Sequence, residues 1–384
     1  MRSTRAIIHL DYLKQNIKNI KALTAKNVKM CIPVKADAYG HGAIECAKAA
    51  LECNVEYLAV ATVDEGLELR EAGIAAPILL FSLCSPEEIE SAIKANITPF
   101  VFDKEYIDLF AQTAKKLGIN NYAVHLAIDT GMGRIGCYPE EALELAKYIN
   151  STKSLVLSGM MTHFAVSDSI QKEHRLYTQI QFSRFMEAVD SVKNAGINPG
   201  LCHCANSAAT LDLPETHLDM VRPGIIVYGY GADEINSSYL MQKGISLELK
   251  PVMTLETTVS AIRPIKRGMS IGYGRTWTAT QDTDIAVLTV GYGDGFVRRF
   301  AENGITVSIN GKAYPIRGRI CMDQCMVEIG KNNPNVKRWD KVILFGSKED
   351  KAILTADDIA CATNTISYEI TTVLTKRVPR VFIN

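Results

Sequence analysis

The chain has 384 residues, 47% of them apolar and 22% charged, which supports a sizeable core and excludes global disorder. Lysine plus arginine equals aspartate plus glutamate at 42 each, so no basic excess marks a nucleic-acid or membrane-surface binder. The length fits two domains, or one large domain with a smaller one attached.

No apolar run approaches a membrane span, and the start, MRSTRAIIHLDYLKQNI, lacks a signal-peptide core. The ten cysteines are scattered, which reads as buried reduced thiols in a cytoplasmic protein. Cys321 and Cys325 are close in sequence but have no second Cys/His pair at finger spacing, so no metal site is expected.

Along the first two-thirds, apolar runs alternate with helical patterns. Strands are predicted near 29–34, 57–62, 77–81, 98–102, 122–128, 155–161, 200–204 and 218–221. Between them, Ser85-Pro86-Glu87 and Tyr138-Pro139-Glu140 carry helix-start signals, and Arg175 to Asn194 is a longer amphipathic stretch. Eight strand–helix units of this kind predict a closed (β/α)8 TIM-type barrel. A doubly wound sheet is the alternative, but no Gly-x-Gly-x-x-Gly follows the first strand.

After Gly231 the pattern changes. Ala232 to Gly244 reads as a linker, and β-rich runs follow at 252–262, 285–290, 306–309, 326–329 and 342–345. One late helix is predicted from the N-cap Thr355 to about Thr375. Ala6-Ile7-Ile8-His9-Leu10 is placed as an added strand of this C-terminal, mainly-β domain. The expected organisation is a barrel over 10–235, with 1–9 and 240–384 forming the β domain.

The unusual polar residues fall at the C-terminal ends of the barrel strands, where function gathers in this fold. Lys35 ends the first strand, Arg134 follows the fifth and His163 ends the sixth. His203, Asn206 and Ser207 follow the seventh, and Arg222 ends the eighth. Each has an ordinary reading: a loop lysine, a hydrogen-bonded histidine, a rim ion pair, a helix cap at Ser207, a structural ion pair at Arg222. Together they favour chemistry. Lys35 is an amine able to form a Schiff base, while Ser207 and Gly224 lie where barrels commonly bind phosphate. That pairing points to pyridoxal 5′-phosphate.

The chain also resembles the alanine racemase family along essentially its whole length. The resemblance rests on an ordered set of motifs: Val34-Lys35-Ala36-Asp37-Ala38-Tyr39-Gly40-His41-Gly42, Asp129-Thr130-Gly131-Met132-Gly133-Arg134, Met161-Thr162-His163-Phe164-Ala165, Ala205-Asn206-Ser207, Val221-Arg222-Pro223-Gly224-Ile225, Gly272-Tyr273-Gly274, Gly291-Tyr292-Gly293-Asp294-Gly295, Cys321-Met322-Asp323-Gln324, Ser367-Tyr368-Glu369 and Arg377-Val378-Pro379-Arg380.

The resemblance implies racemisation of alanine by two bases, supplying D-alanine for peptidoglycan. Lys35 would be one base, and Tyr273, contributed by the partner subunit of a homodimer, the other. Arg222 would face the pyridine nitrogen, backed by His203, and His163 would sit beside the ring. Tyr39, Asn206, Ser207, Gly224, Ile225 and Tyr368 would hold the cofactor. Arg134 and Met322 would hold the substrate carboxylate, with Tyr292 and Tyr368 narrowing the entrance.

One departure is Ala127, where many relatives carry a lysine that props the arginine here numbered Arg134. The alternatives are a serine or broad-specificity racemase on the same scaffold, and a non-catalytic PLP-binding protein of single-barrel type. The latter lacks a β domain.

Overall fold

The structure, a computed structural model, describes residues 2–384. Met1 lies outside the described residues. Eight parallel strands form the first sheet: β2 (Lys29–Pro33), β3 (Tyr57–Val60), β4 (Ile78–Leu80), β5 (Ile97–Val101), β6 (Tyr122–Ala127), β7 (Leu155–Met161), β8 (Leu201–His203) and β9 (Met220–Val221). They run β8-β7-β6-β5-β4-β3-β2-β9, and all eight coincide with predicted runs. Across the seam, Asp219 N–H donates to Cys202 O at 3.1 Å and Arg222 N–H to Ala205 O at 2.9 Å. The sheet therefore curls into a barrel.

Inside it, Cys31, Ala59, Leu79, Phe100, Ala127, Met161 and Met220 form a separate buried cluster. They alternate with outward residues that pack beneath the helices, as a strand period of two requires.

The C-terminal domain is built on β10 (Met253–Ile265), the short pair β11 (Ser270–Ile271) and β12 (Trp277–Thr278), β13 (Thr283–Leu288), β14 (Thr306–Ile309), β15 (Lys312–Pro315), β16 (Cys325–Glu328) and β17 (Lys341–Phe345). The N-terminal β1 (Arg5–His9) inserts between β10 and the last strand, β18 (Arg380–Ile383), so the two chain ends pair in parallel. β15 was not predicted. It returns from β14 through Asn310-Gly311, both at positive φ, the left-handed pair that suits a tight hairpin.

The single late helix is corrected to two, Ala356–Ala362 and Ser367–Thr372. Its start is as predicted, with Thr355 and Asp358 forming a capping box. The break comes at Asn364, which takes φ 53, inside a run of threonines with little helix preference. The second helix thereby turns toward the barrel mouth and carries Tyr368 to Ser207. The 232–244 stretch holds a short helix, Ser237–Gln242, capped by Asn236.

Candidate active site

Lys35 stands just beyond β2, half-buried in the wall of a cavity of about 1030 Å³ at the barrel mouth. The four residues after it, Ala36, Asp37, Ala38 and Tyr39, have φ of 51, 54, 53 and 53°. This is a left-handed turn made without glycine, at a cost of about 1–2 kcal/mol per residue.

Contacts from several elements hold the turn. One Glu65 oxygen accepts from Ala36 N–H at 2.7 Å and the other from Ala61 N–H at 2.7 Å. Asp37 accepts from Ala43 N–H at 2.8 Å, and Arg380 Nε donates to Gly40 O at 2.9 Å. Gly40 has φ +84°, and a Cβ there would lie 2.2 Å from Thr371 O. His41 Nδ1, 2.9 Å from Tyr39 O, closes the turn, and its ring stacks on Tyr228 at 4.7 Å. Ala36 is exposed, so glycine there would relieve strain without losing packing. Ala36→Gly is expected to raise unfolding stability by about 1 kcal/mol in urea. A fall in stability would contradict the strain argument.

Burial, and next the Arg134 charge, lower the Lys35 pKa, with Glu65 opposing them. Burial and Arg134 both shift Lys35 toward its neutral, nucleophilic amine.

Arg222 lies on the cavity floor, buried, and the structural ion-pair reading fails: no carboxylate faces it among the described residues. It donates instead to Thr162 O at 2.8 Å, Cys204 O at 3.1 Å and His203 Nδ1 at 2.8 Å. A guanidinium only donates, so His203 Nδ1 carries the lone pair and Nε2 the proton. His125 Nδ1 accepts that proton's hydrogen bond at 2.9 Å. Both imidazoles are neutral: burial, then the Arg222 charge, push His125 down to about 3 and His203 in the same direction. Arg222 itself is lowered by burial only to about 10, so it stays charged at neutral pH. His163 Nδ1 lies 3.3 Å from Arg222 and accepts from it, leaving Nε2–H free to donate elsewhere. Burial, then Arg222, Arg134 and Lys35, lower His163 to about 3.

Opposite Arg222, hydroxyls converge on Gly224. Its N–H donates to Ser207 Oγ at 2.8 Å, and a Cβ there would meet Tyr39 Oη at 3.0 Å and Ser207 Oγ at 3.6 Å. The Tyr39 and Tyr368 rings sit 5.5 Å apart. Ile225 opens the short turn Ile225–Tyr228, adding a helix start to the cradle. Ser207 is not the helix cap. Asn206 is, accepting from Ala209 N–H at 3.1 Å, while the Ser207 hydroxyl turns to Gly224 N–H. These hydroxyls and helix starts form a polar cradle that fits a phosphate, while Asp168, Asp233 and Asp357 line the same cavity on the Tyr368 side.

Arg134 lines the same cavity, but its guanidinium has no hydrogen bond or ion pair among the described residues, so the rim-pair reading also fails. Ala127 is fully buried in the barrel's apolar cluster and offers it nothing.

Tyr273, Tyr292 and Met322 are not brought to this cavity. They lie on the β domain and are 67%, 41% and 52% exposed. Tyr273 follows Gly272, whose φ of 73° turns the loop beside Arg319. Tyr292 N–H donates to Cys321 O at 3.0 Å and Gly293 N–H to Met322 O at 2.9 Å, so the loops of Tyr292 and Met322 are one unit. Buried Asp294 fastens that unit, paired by Arg2 at 2.6 and 2.8 Å and by Arg377 at 3.2 Å.

Glu65 and His125 do structural work at the site that the motifs did not reveal. Glu65 had a signal, the capping box Thr62-Val63-Asp64-Glu65. His125 had none beyond being a polar residue inside a strand.

A profile of the alanine racemase N-terminal domain matches residues 8–232, and one of the C-terminal domain matches 252–382. An alanine racemase of Treponema denticola is 50% identical over 386 aligned residues, covering 100% of this chain and 99% of that protein. One of Clostridium novyi is 42% identical, covering 100% and 96%. The solved alanine racemase of Clostridium difficile 630 superposes with a TM-score of 0.91 at 40% identity, covering 100% of this chain and 96% of its own. That of Bacillus anthracis, solved with bound L-Ala-P, gives 0.89 at 35%, covering 100% and 96%. With full-length matches in both domains, the chain belongs to the alanine racemase family.

Proposed function

We propose that the chain interconverts L- and D-alanine, providing D-alanine for peptidoglycan, with pyridoxal 5′-phosphate as cofactor and a homodimer as the working unit. The observation that carries this is one cavity holding a lysine biased toward its neutral form and a buried arginine with no acid partner among the described residues.

Lys35 would anchor the cofactor. Tyr39, Asn206, Ser207, Gly224, Ile225 and Tyr368 would hold its phosphate end, and Arg222 would face the ring nitrogen. When bound, the cofactor supplies an aldehyde for amine exchange and an electron sink that acidifies the substrate Cα–H. Arg222 has no proton to give at neutral pH, so it offers a hydrogen bond without protonating its neighbour. That restrains charge delocalisation and favours return of the proton to Cα.

Racemisation needs proton transfer on both faces of Cα. Lys35 serves one face. Tyr273, exposed on the β domain, serves the other when a second copy brings it, with Tyr292 and Met322, over the cavity. His163 then donates its free Nε2–H to the Tyr273 oxygen and orients it toward Cα. Arg134 pairs the substrate carboxylate. Tyr292 and Tyr368 narrow the entrance in favour of a methyl side chain.

The test is a racemisation panel with L-alanine, L-serine and L-lysine, with an absorption spectrum of the same sample. Alanine is expected to show the highest kcat/KM, together with cofactor absorbance. Equal or better turnover of serine would overturn the alanine assignment.

A further inference from the structure

Among the described residues no side chain hydrogen-bonds to or pairs with the Arg134 guanidinium, and Ala127 in the barrel cluster is only a methyl group, so something else must keep Arg134 in place. The answer lies in the backbone of its loop, residues 129–136. Asp129 N–H donates to Cys137 O at 2.8 Å and Cys137 N–H to Ala127 O at 3.0 Å, pinning both feet of the loop. Within it, one Asp129 oxygen accepts from Gly131, Met132 and Gly133 N–H at 2.9, 2.9 and 3.1 Å.

The helix Lys172–Asn194 then grips the loop from outside. Tyr177 Oη donates to Gly131 O at 2.8 Å and Arg184 to Thr130 O at 3.1 Å. Fully buried Gln181 donates to Thr130 Oγ1 at 3.3 Å and to His163 O at 3.2 Å, and accepts from Ala165 N–H at 2.9 Å. Residues 177, 181 and 184 are spaced four and three apart, so they share one helix face. The fit is close: a Cβ on Gly131 would lie 2.3 Å from Tyr177 Oη.

We propose that this polar helix face fixes substrate-carboxylate recognition, with Tyr177 and Gln181 as positioning residues. They set the reach of Arg134 through its loop and tie that loop to the strand end bearing His163. This rests on Arg134 being the carboxylate partner.

The test uses the intact holoenzyme with alanine as substrate and propionate as a carboxylate probe. Tyr177→Phe removes one hydrogen bond from a partly exposed ring. It is expected to raise KM for both enantiomers and the propionate inhibition constant about fivefold, the ratio one net hydrogen bond implies, with kcat within about twofold. Arg134→Gln should raise both constants further, and adding Tyr177→Phe to it should have little extra effect, because the clamp acts through Arg134. If Arg134→Gln leaves propionate inhibition unchanged, the carboxylate role of Arg134 is wrong. If Arg134→Gln weakens propionate but Tyr177→Phe does not, or lowers kcat instead, the clamp is wrong. Additive effects in the double variant would also overturn it. Gln181→Leu is a secondary variant, since full burial puts its folding at risk.

Discussion

Lys35→Ala is expected to abolish covalent cofactor attachment and to lower racemisation by about 10⁴-fold, the upper range for losing a positioned proton-transfer group. The expectation follows from placement. Lys35 is half-buried in the cavity wall, and burial together with Arg134 favours its neutral amine. Borohydride reduction followed by peptide mass analysis checks it. Wild-type protein should carry the cofactor mass on the Lys35 peptide, and the variant should carry none. Retention of a reducible linkage elsewhere in the chain would refute Lys35 as the anchor. The turn that follows Lys35 is held by Glu65, Asp37 and Arg380 rather than by the lysine, so the variant should unfold like wild type.

Tyr273→Phe is the second large effect. Tyr273 is 67% exposed, so loss of its hydroxyl should leave the fold and cofactor absorbance intact. Racemisation is expected to fall by about 10²–10³-fold. Because the enantiomers are equal in free energy, kcat/KM must fall by the same factor in both directions. The asymmetry appears in solvent exchange instead. In deuterated water the variant should still wash deuterium into one enantiomer, through Lys35, without inverting it. Equal exchange into both enantiomers, or racemisation at the wild-type rate, would remove Tyr273 from the second-base role.

The barrel was legible because each strand is an apolar run bounded by helix-start or turn signals, and the polar residues at the strand ends stood out against it. The left-handed turn was not legible. Ala36-Asp37-Ala38-Tyr39 contains no glycine, and its conformation is imposed by Glu65 and, from the far end of the chain, Thr371 and Arg380. Asn364 ended the late helix where pattern alone carried it on to Thr375. The site residues on the barrel are brought together, whereas Tyr273, Tyr292 and Met322 form a second group on the β domain that motif order could not place in space. The clamp on Arg134 escaped notice because Tyr177, Gln181 and Arg184 look like ordinary polar positions of an amphipathic helix. Only the loop docked on them gives them a role.

The proposed site is shared between two copies, taking Lys35 from one and Tyr273 from the other. Lys35→Ala and Tyr273→Phe proteins, each nearly inactive, can be mixed, dissociated and reassociated in equal amounts. Half of the dimers are then mixed, and each mixed dimer has one intact site of two, so about a quarter of wild-type activity should return. Activity no higher than the sum of the separate variants, with mixed dimers verified by mass, would contradict the account.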